Sequence, residues 1–166
     1  GRPNRRTSDG VFALDTPTGS VRWLYEGKGI DHDGIAVGDG KVFLVDGLLT
    51  DLECEEGLRN TVKDRSVEDR EKLVDKKGGD FGPDVRKIGV LDTQSGRKLW
   101  EKPFNATDLT LDDRGVSDGA VGVACMYKDN VLVIHGTGSL GHPHREFLSG
   151  EFQRRAVYAY AADSGD

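Results

Sequence analysis

The stretch Val11-Phe12-Ala13-Leu14-Asp15-Thr16-Pro17-Thr18-Gly19-Ser20-Val21-Arg22-Trp23 decides how this chain is read, because the chain writes it again. It returns as Ile88-Gly89-Val90-Leu91-Asp92-Thr93-Gln94-Ser95-Gly96-Arg97-Lys98-Leu99-Trp100. A third copy starts at Val157-Tyr158-Ala159-Tyr160-Ala161-Ala162-Asp163-Ser164-Gly165 and breaks off where its tryptophan-bearing stretch should follow. A phrase that recurs at a long offset marks a repeat architecture, in which each unit buries its apolar face against the next. The broken third copy reads as a piece of a longer protein.

Each copy has three parts. An alternating run (Val11, Ala13; Ile88, Val90) fits a strand with one face buried. A turn follows, in which Asp15, Thr16 and Gly19, or Asp92, Thr93 and Gly96, supply side-chain acceptors and a left-handed backbone position. Asp163 and Gly165 keep that turn in the third copy. A second strand then carries Trp23 or Trp100, whose broad apolar surface suits the junction between neighbouring sheets. Between the copies lies a second shared element. Gly34-Ile35-Ala36-Val37-Gly38-Asp39-Gly40-Lys41-Val42-Phe43-Leu44-Val45-Asp46-Gly47 is a hairpin about an Asp-Gly turn, and the run from Gly119 to Gly136 repeats it. Two hairpins make a four-stranded meander, strands A to D, which is one blade of a β-propeller.

The expected fold is all-β, a partial propeller of two to three antiparallel blades with a short helical insertion near 50–78. Strands C and D of one blade fall at 10–26. A full blade spans 34–103 with an insertion at 48–86, and a partial blade spans 119–163 with an insertion at 137–155. From 11 to 88 is 77 residues and from 88 to 157 is 69, whereas a blade takes roughly 40–50. The insertions hold the excess.

The phrase Ala13-Leu14-Asp15-Thr16-Pro17-Thr18-Gly19-Ser20-Val21-Arg22-Trp23 resembles the repeat of PQQ-type β-propellers, a family that includes quinoprotein alcohol dehydrogenases and the lipoprotein of the outer-membrane β-barrel assembly machine. Val90 to Trp100 matches apart from Val for Ala, and the third copy lacks the Leu-Asp pair. The stretch Asp31 to Ala36, the charged insertion after Gly47, and Glu146 to Arg155 are similar to large PQQ-like repeat proteins of planctomycete-type bacteria. That resemblance implies a periplasmic or otherwise extracytoplasmic protein. The repeat is specific for fold more than for function, and the leading expectation is a segment that is not catalytic by itself and serves as a scaffold or interaction surface, partnered by the remaining blades of its own propeller and by other proteins. The alternative it implies is a segment of a quinoprotein oxidoreductase acting on an alcohol or a sugar. No cofactor is expected in this segment itself; under the dehydrogenase alternative, PQQ and calcium would be held by the full-length protein. The dehydrogenases carry adjacent cysteines, a tryptophan floor under the quinone and a Glu/Asn/Asp calcium set. This chain has no adjacent cysteines, and Trp23 and Trp100 occupy the repeat's packing position.

A net charge of −6 argues against a nucleic-acid partner, which needs a basic face. No apolar run approaches the roughly 20 residues of a membrane span. Cys54 and Cys125 either pair in an oxidising compartment or stay free. Glycine, at 23 of 166 residues, is about double its usual share, which suits many tight turns.

Chemistry-bearing residues collect in the connections. In an up-and-down blade the A–B and C–D turns share one end, and the B–C and D–A connections share the other. Both insertions, and the loops at 27–33 and 104–118, therefore crowd one end. Asp31, His32 and Asp33 form an Asp-His-Asp run that suits a general base with a proton carrier, or an oxygen-rich Ca²⁺ site. Asp108, Asp112, Asp113, Arg114 and Asp118 stand on the same end. Asp33-Gly34 and Asp118-Gly119 read equally well as turn chemistry. His142 and His144 flank Pro143 and suit either a metal ligand pair or a solvated loop. In the first insertion, Ser66 caps a short helix that runs to Lys77 and packs through Val67, Leu73 and Val74. In the second, Glu146, Glu151, Arg154 and Arg155 suit ion pairs that pin the loop.

Overall fold

The computed structural model describes residues 7–59, 84–107, 109, 122–136 and 157–166. Among them lie nine strands and one helix: β1 (Thr7–Leu14), β2 (Val21–Asp31), β3 (Ile35–Gly38), β4 (Lys41–Asp46), α1 (Asp51–Arg59), β5 (Val85–Asp92), β6 (Lys98–Asn105), β7 (Val123–Lys128), β8 (Val131–Gly136) and β9 (Val157–Ala161). They form three sheets ordered β1-β2, β3-β4-β5-β6 and β7-β8-β9, with every pairing antiparallel. Strands C–D, A–D and A–C of successive blades account for that order. The fold is a partial β-propeller.

The hairpin turns follow from their residues. Asp39 and Gly40 both take positive φ (45° and 72°), as do Asp129 (49°) and Asn130 (62°). Two left-handed residues in a two-residue loop match the twist of the strands they join, and Asp, Asn and Gly adopt that conformation at least cost. Each C–D turn closes with its glycine N–H donating four residues back: Gly19 to the Asp15 carbonyl (2.7 Å), Gly96 to Asp92 (2.8 Å) and Gly165 to Ala161 (2.7 Å). In the first two turns the aspartate braces the loop: the Asp15 carboxylate accepts from the Thr18 N–H and hydroxyl, and Asp92 from the N–H groups of Gln94 and Ser95. In the third, Ala161 holds that position. Asp163 instead reaches across to the central sheet and pairs with Lys41 at 2.9 Å.

The central sheet is buried on both faces, so β4 reads as the unbroken apolar run Val42-Phe43-Leu44-Val45. Val42 and Leu44 pack with Ile30 and Leu91 beneath Val11, Trp23 and Tyr25 of the first sheet. Phe43 and Val45, one position out of phase, join Ile88, Val90 and Phe104 against Val123, Cys125, Leu132 and Ile134 of the third. The Phe43 and Tyr127 rings stack across that junction, with centroids 4.9 Å apart.

The repeat's tryptophan joins each sheet to the next. Trp23 lies on the Gly96 turn so closely that a Cβ on Gly96 would stand 2.5 Å from the indole Cγ, and its Nε1 donates to the Thr93 carbonyl at 3.0 Å. Trp100 does the same one sheet further on, lying against Gly165 and donating to the Ala162 carbonyl at 3.0 Å. Thr93 and Ala162 both stand three residues before the turn glycine. In both cases the acceptor residue also ties its turn to the neighbouring hairpin, Thr93 N–H to Gly40 and Ala162 N–H to Asn130, each at 2.9 Å. A–B and C–D turns thus share one end of the stack.

One feature differs from the sequence expectation: β2 runs on to Asp31 instead of ending at 26, because Asp9, Asp46 and Gly47 engage the backbone of residues 27–31. Asp9 accepts from the Gly29 N–H at 3.0 Å, and the Lys28 carbonyl accepts from Gly47 at 2.9 Å. The short helix expected in the 50–78 insertion is present as α1. The stretch after Ser66, with Val67, Leu73 and Val74, lies outside the described residues. α1 begins in a capping box. The Thr50 hydroxyl accepts from the Glu53 N–H (3.3 Å), and the Glu53 carboxylate accepts from the Thr50 N–H (2.7 Å). Gly57 lets it lie flat on β5 and β6, since a Cβ there would stand 2.5 Å from Val85.

Candidate functional site

At the end opposite the tight turns, the connections are held by buried charge. Arg86, at the start of β5, is 1% exposed. Its Nε and Nη2 donate to the two oxygens of Asp84, at 3.0 and 2.7 Å, and its Nη1 donates to Asp31. Asp31 closes β2 and also accepts from the Val123 N–H of β7. One carboxylate and one guanidinium therefore touch all three sheets. Removing one partner of such a buried group leaves an uncompensated charge, at a cost of roughly 3–5 kcal/mol. The Asp84 backbone continues the network: its N–H donates to the Thr107 hydroxyl at 3.0 Å, and its carbonyl accepts from Ala106 at 2.7 Å. Thr107 in turn donates to the Asn105 side chain through its N–H at 3.0 Å.

A second buried carboxylate, Asp46, closes β4 with no exposed surface. It accepts from the Tyr25 hydroxyl (2.8 Å) and from the N–H groups of Lys28 (2.8 Å) and Leu48 (2.9 Å). Burial, and then the Asp46 carboxylate beside it, push the Tyr25 hydroxyl up, so it stays a donor at neutral pH.

Outside this frame, α1 is pinned by Glu53. Its carboxylate meets Lys87 Nζ at 2.9 Å, and Lys87 also faces Glu101 at 3.4 Å. Partial burial works against the Glu53 charge, but the Lys87 ammonium and the Thr50 N–H and hydroxyl outweigh it, bringing the carboxyl down to about 2.

The structure divides the Asp-His-Asp run. Asp31 is internal and paired to Arg86, whereas His32 and Asp33 are exposed. The His32 Nε2 and the Ser8 Oγ of β1 are hydrogen-bonded at 2.7 Å. Asp33 contributes its backbone, its carbonyl accepting from the Cys125 N–H at 2.9 Å. Asp108, Asp112, Asp113, Arg114, Asp118, His142 and His144 lie outside the described residues, as do Glu146, Glu151, Arg154 and Arg155. Both cysteines are free; burial, then the nearby Asp31 charge, push the Cys125 thiol up to about 12. It is packed as a small apolar side chain and stays a thiol. Among the described residues no three His, Cys, Asp or Glu side chains converge as a metal site, and no helix is long and apolar enough to cross a membrane.

The residues that organise this end, Arg86, Asp84 and Asp46, carry no local signal. Arg86 and Asp84 stand inside what reads as insertion, and Asp46-Gly47 reads as a strand end.

No protein-family model and no curated protein matches the chain. Among solved structures, a europium-containing methanol dehydrogenase aligns with 95% of this chain and 20% of its own, at a TM-score of 0.46 and 15% identity. A quinohemoprotein alcohol dehydrogenase, ADHIIG from Pseudomonas putida HK5, aligns with 96% of this chain and 23% of its own, at a TM-score of 0.45 and 18% identity. The chain spans about a fifth of the length of these structures. The fold assignment rests on the sheet order and on the repeated turn.

Proposed function

We propose that this chain is a PQQ-like propeller segment that works as a scaffold, presenting its loop end as an interaction surface, and that it is not catalytic by itself. The observation that carries this reading is the division between the two ends. The tight turns are locked to one another, while at the other end Arg86 and Asp31 tie together three sheets at the strand ends from which the connections leave. Function tends to sit on loops held by a rigid frame. The buried carboxylates support a holding role, because Asp31 and Asp46 spend their oxygens on internal donors. In this reading the remaining blades of the propeller are the first partners, other proteins meet the loop end, and the protein works in the periplasm or another extracytoplasmic space.

The repeat phrase also favours a second reading, a segment of a PQQ- and Ca²⁺-dependent alcohol or sugar dehydrogenase. The described residues do not assemble a donor set for Ca²⁺, and no step is derived through PQQ. Titration calorimetry with PQQ, with and without CaCl₂, and a dye-reduction assay with alcohols and sugars separate the two. The scaffold reading expects no heat and no dye reduction. Calcium-dependent heat with dye reduction replaces it by the dehydrogenase reading.

A further inference from the structure

Helix α1 is docked with a leucine facing outward. Its sheet-facing side is polar and small: Glu53 meets Lys87 at 2.9 Å, and Gly57 lies against Val85. Leu52, one position before Glu53 and so about 100° round the helix, is 77% exposed. Rolling Leu52 onto the sheet would carry Glu53 away from Lys87 and break its box with Thr50. At the entry to the helix stands Leu48, 46% exposed, with its N–H fixed on Asp46.

The exposed apolar side chains of the two outer sheets belong to the repeat. Phe12 and Leu14 occupy the repeat positions of Tyr158 and Tyr160, which pack edge-on against Phe104 of the preceding sheet. Stacked neighbours cover such positions in a repeat protein. Leu48 and Leu52 differ. They belong to the β4–β5 connection of the central sheet, which already has a neighbour on each face.

The charge around Leu52 selects what covers it. Within α1, Glu55 is paired with Arg59 at 2.9 Å, and Glu53 is paired with Lys87. Asp51 precedes Leu52 and Glu56 follows it by one turn; both are exposed and have no counter-charge among the described residues. An apolar anchor between two unpaired carboxylates is complementary to apolar side chains flanked by Lys or Arg. The same carboxylates repel an anionic lipid surface.

We infer that Leu48 and Leu52, with Asp51 and Glu56, form a docking site for a basic amphipathic helix of another protein. Apolar side chains of that helix pack on the two leucines, and its lysines or arginines meet the two carboxylates. The inference rests on the scaffold reading and deepens it, by giving the chemistry of the partner met at the loop end.

The probe is a synthetic amphipathic helix of leucine and lysine alone, used below the concentration at which it self-associates. It is titrated into the full chain while the backbone amides are followed by NMR. Expected are saturable shifts at Leu48, Leu52 and Glu56, and no binding by the same helix with glutamate for lysine. Leu52→Ser, checked for an unchanged fold by circular dichroism, should lose roughly tenfold or more in affinity. Asp51→Asn with Glu56→Gln should lose about threefold and flatten the salt dependence. Equal binding by Leu52→Ser, or shifts centred on Phe12 and Leu24, overturns the site. Contacts of the Leu52 methyls with residues 60–83 in the free chain would assign the face to the chain's own insertion. Dimerisation in sedimentation that Leu52→Ser abolishes would assign it to a second copy. Either result overturns the inference. Calcium-dependent PQQ binding with dye reduction removes the scaffold reading, and lysine-helix binding that still requires Leu52 leaves the docking site standing.

Discussion

At one end of the sheet stack, Trp23 and Trp100 lie on the glycine turns of the next sheet, and every lock is a copy of the last. At the other end, Asp31, Arg86 and the Val123 amide meet from positions 55 and 92 residues apart, an arrangement written once among the described residues. The first end is stabilised by local turn chemistry and apolar contact. The second depends on buried charge, where each group needs its partner. A stack built this way keeps its geometry through the turn end and leaves the loop end open to change in length and composition, provided the charged frame survives.

The sharpest way to break the contrast is at Arg86. Arg86→Ala strips the counter-charge from Asp31 and Asp84 together, and we expect a loss of roughly 3–5 kcal/mol in urea unfolding followed by circular dichroism. Pairing Arg86→Met with Asp31→Asn in a double-mutant cycle should recover a large part of that loss, since the orphaned Asp31 charge goes with the guanidinium. A loss within about 0.5 kcal/mol, the range of an ordinary surface substitution, would mean that the loop end is decoration.

The next test compares one substitution at a filled and an open turn. Gly96→Ala puts a Cβ at a left-handed position and against the Trp23 indole, whereas Gly19→Ala does only the former. The left-handed position alone costs roughly 1–2 kcal/mol, so Gly19→Ala should lose about that much. Gly96→Ala should lose roughly 2–4 kcal/mol, because overpacking adds to the strain. Equal losses in thermal melts of the two variants would show that the indole contributes nothing to the lock.

What the sequence discloses follows the same division. Sheet order, turn positions and the junction role of Trp23 and Trp100 are legible because each rests on a pattern a few residues long and written more than once. The exposed Phe12 and Leu14 are legible as strand residues only; their facing direction emerges by comparing them with Tyr158 and Tyr160 in the folded molecule. The Asp-His-Asp run is visible as residues but not as geometry. Asp31 turns inward because Arg86 waits there, a pairing that no local spacing encodes. The Thr50-x-x-Glu53 box signals the start of α1, but its nine residues carry only a weak apolar stripe, so the pattern marks a short helix in the insertion without fixing its bounds. Asp46 had a strand-end position and no more, since its donors Tyr25 and Lys28 belong to the neighbouring sheet.

The smallest effect sharpens the comparison by acidity. The Glu53 carboxyl lies at about 2 against an ordinary 4.5, so protonation is easier in the unfolded chain than in the folded one. Its contribution is therefore complete above about 4.5 and fades as the pH falls towards about 2. A charge-assisted bond of this kind contributes roughly 1.5–3 kcal/mol, enough to hold a helix too short to persist unaided. Following the backbone amides of Leu52 to Leu58 by NMR through an acid titration should show α1 leaving β5 and β6 in that window. In Glu53→Gln the same amides should be loosened already at pH 7, with no further acid step. The turn aspartates Asp15 and Asp92 are also held low, Asp15 by Thr18 and then Arg22, Asp92 by Ser95, but both sit in partly exposed surface turns and bond only within their own hairpins. Their protonation should leave the Trp23 and Trp100 locks in place, read as unchanged indole Nε1 proton shifts. If the indoles let go before α1 does, the turn end is the charge-dependent one and the comparison is reversed.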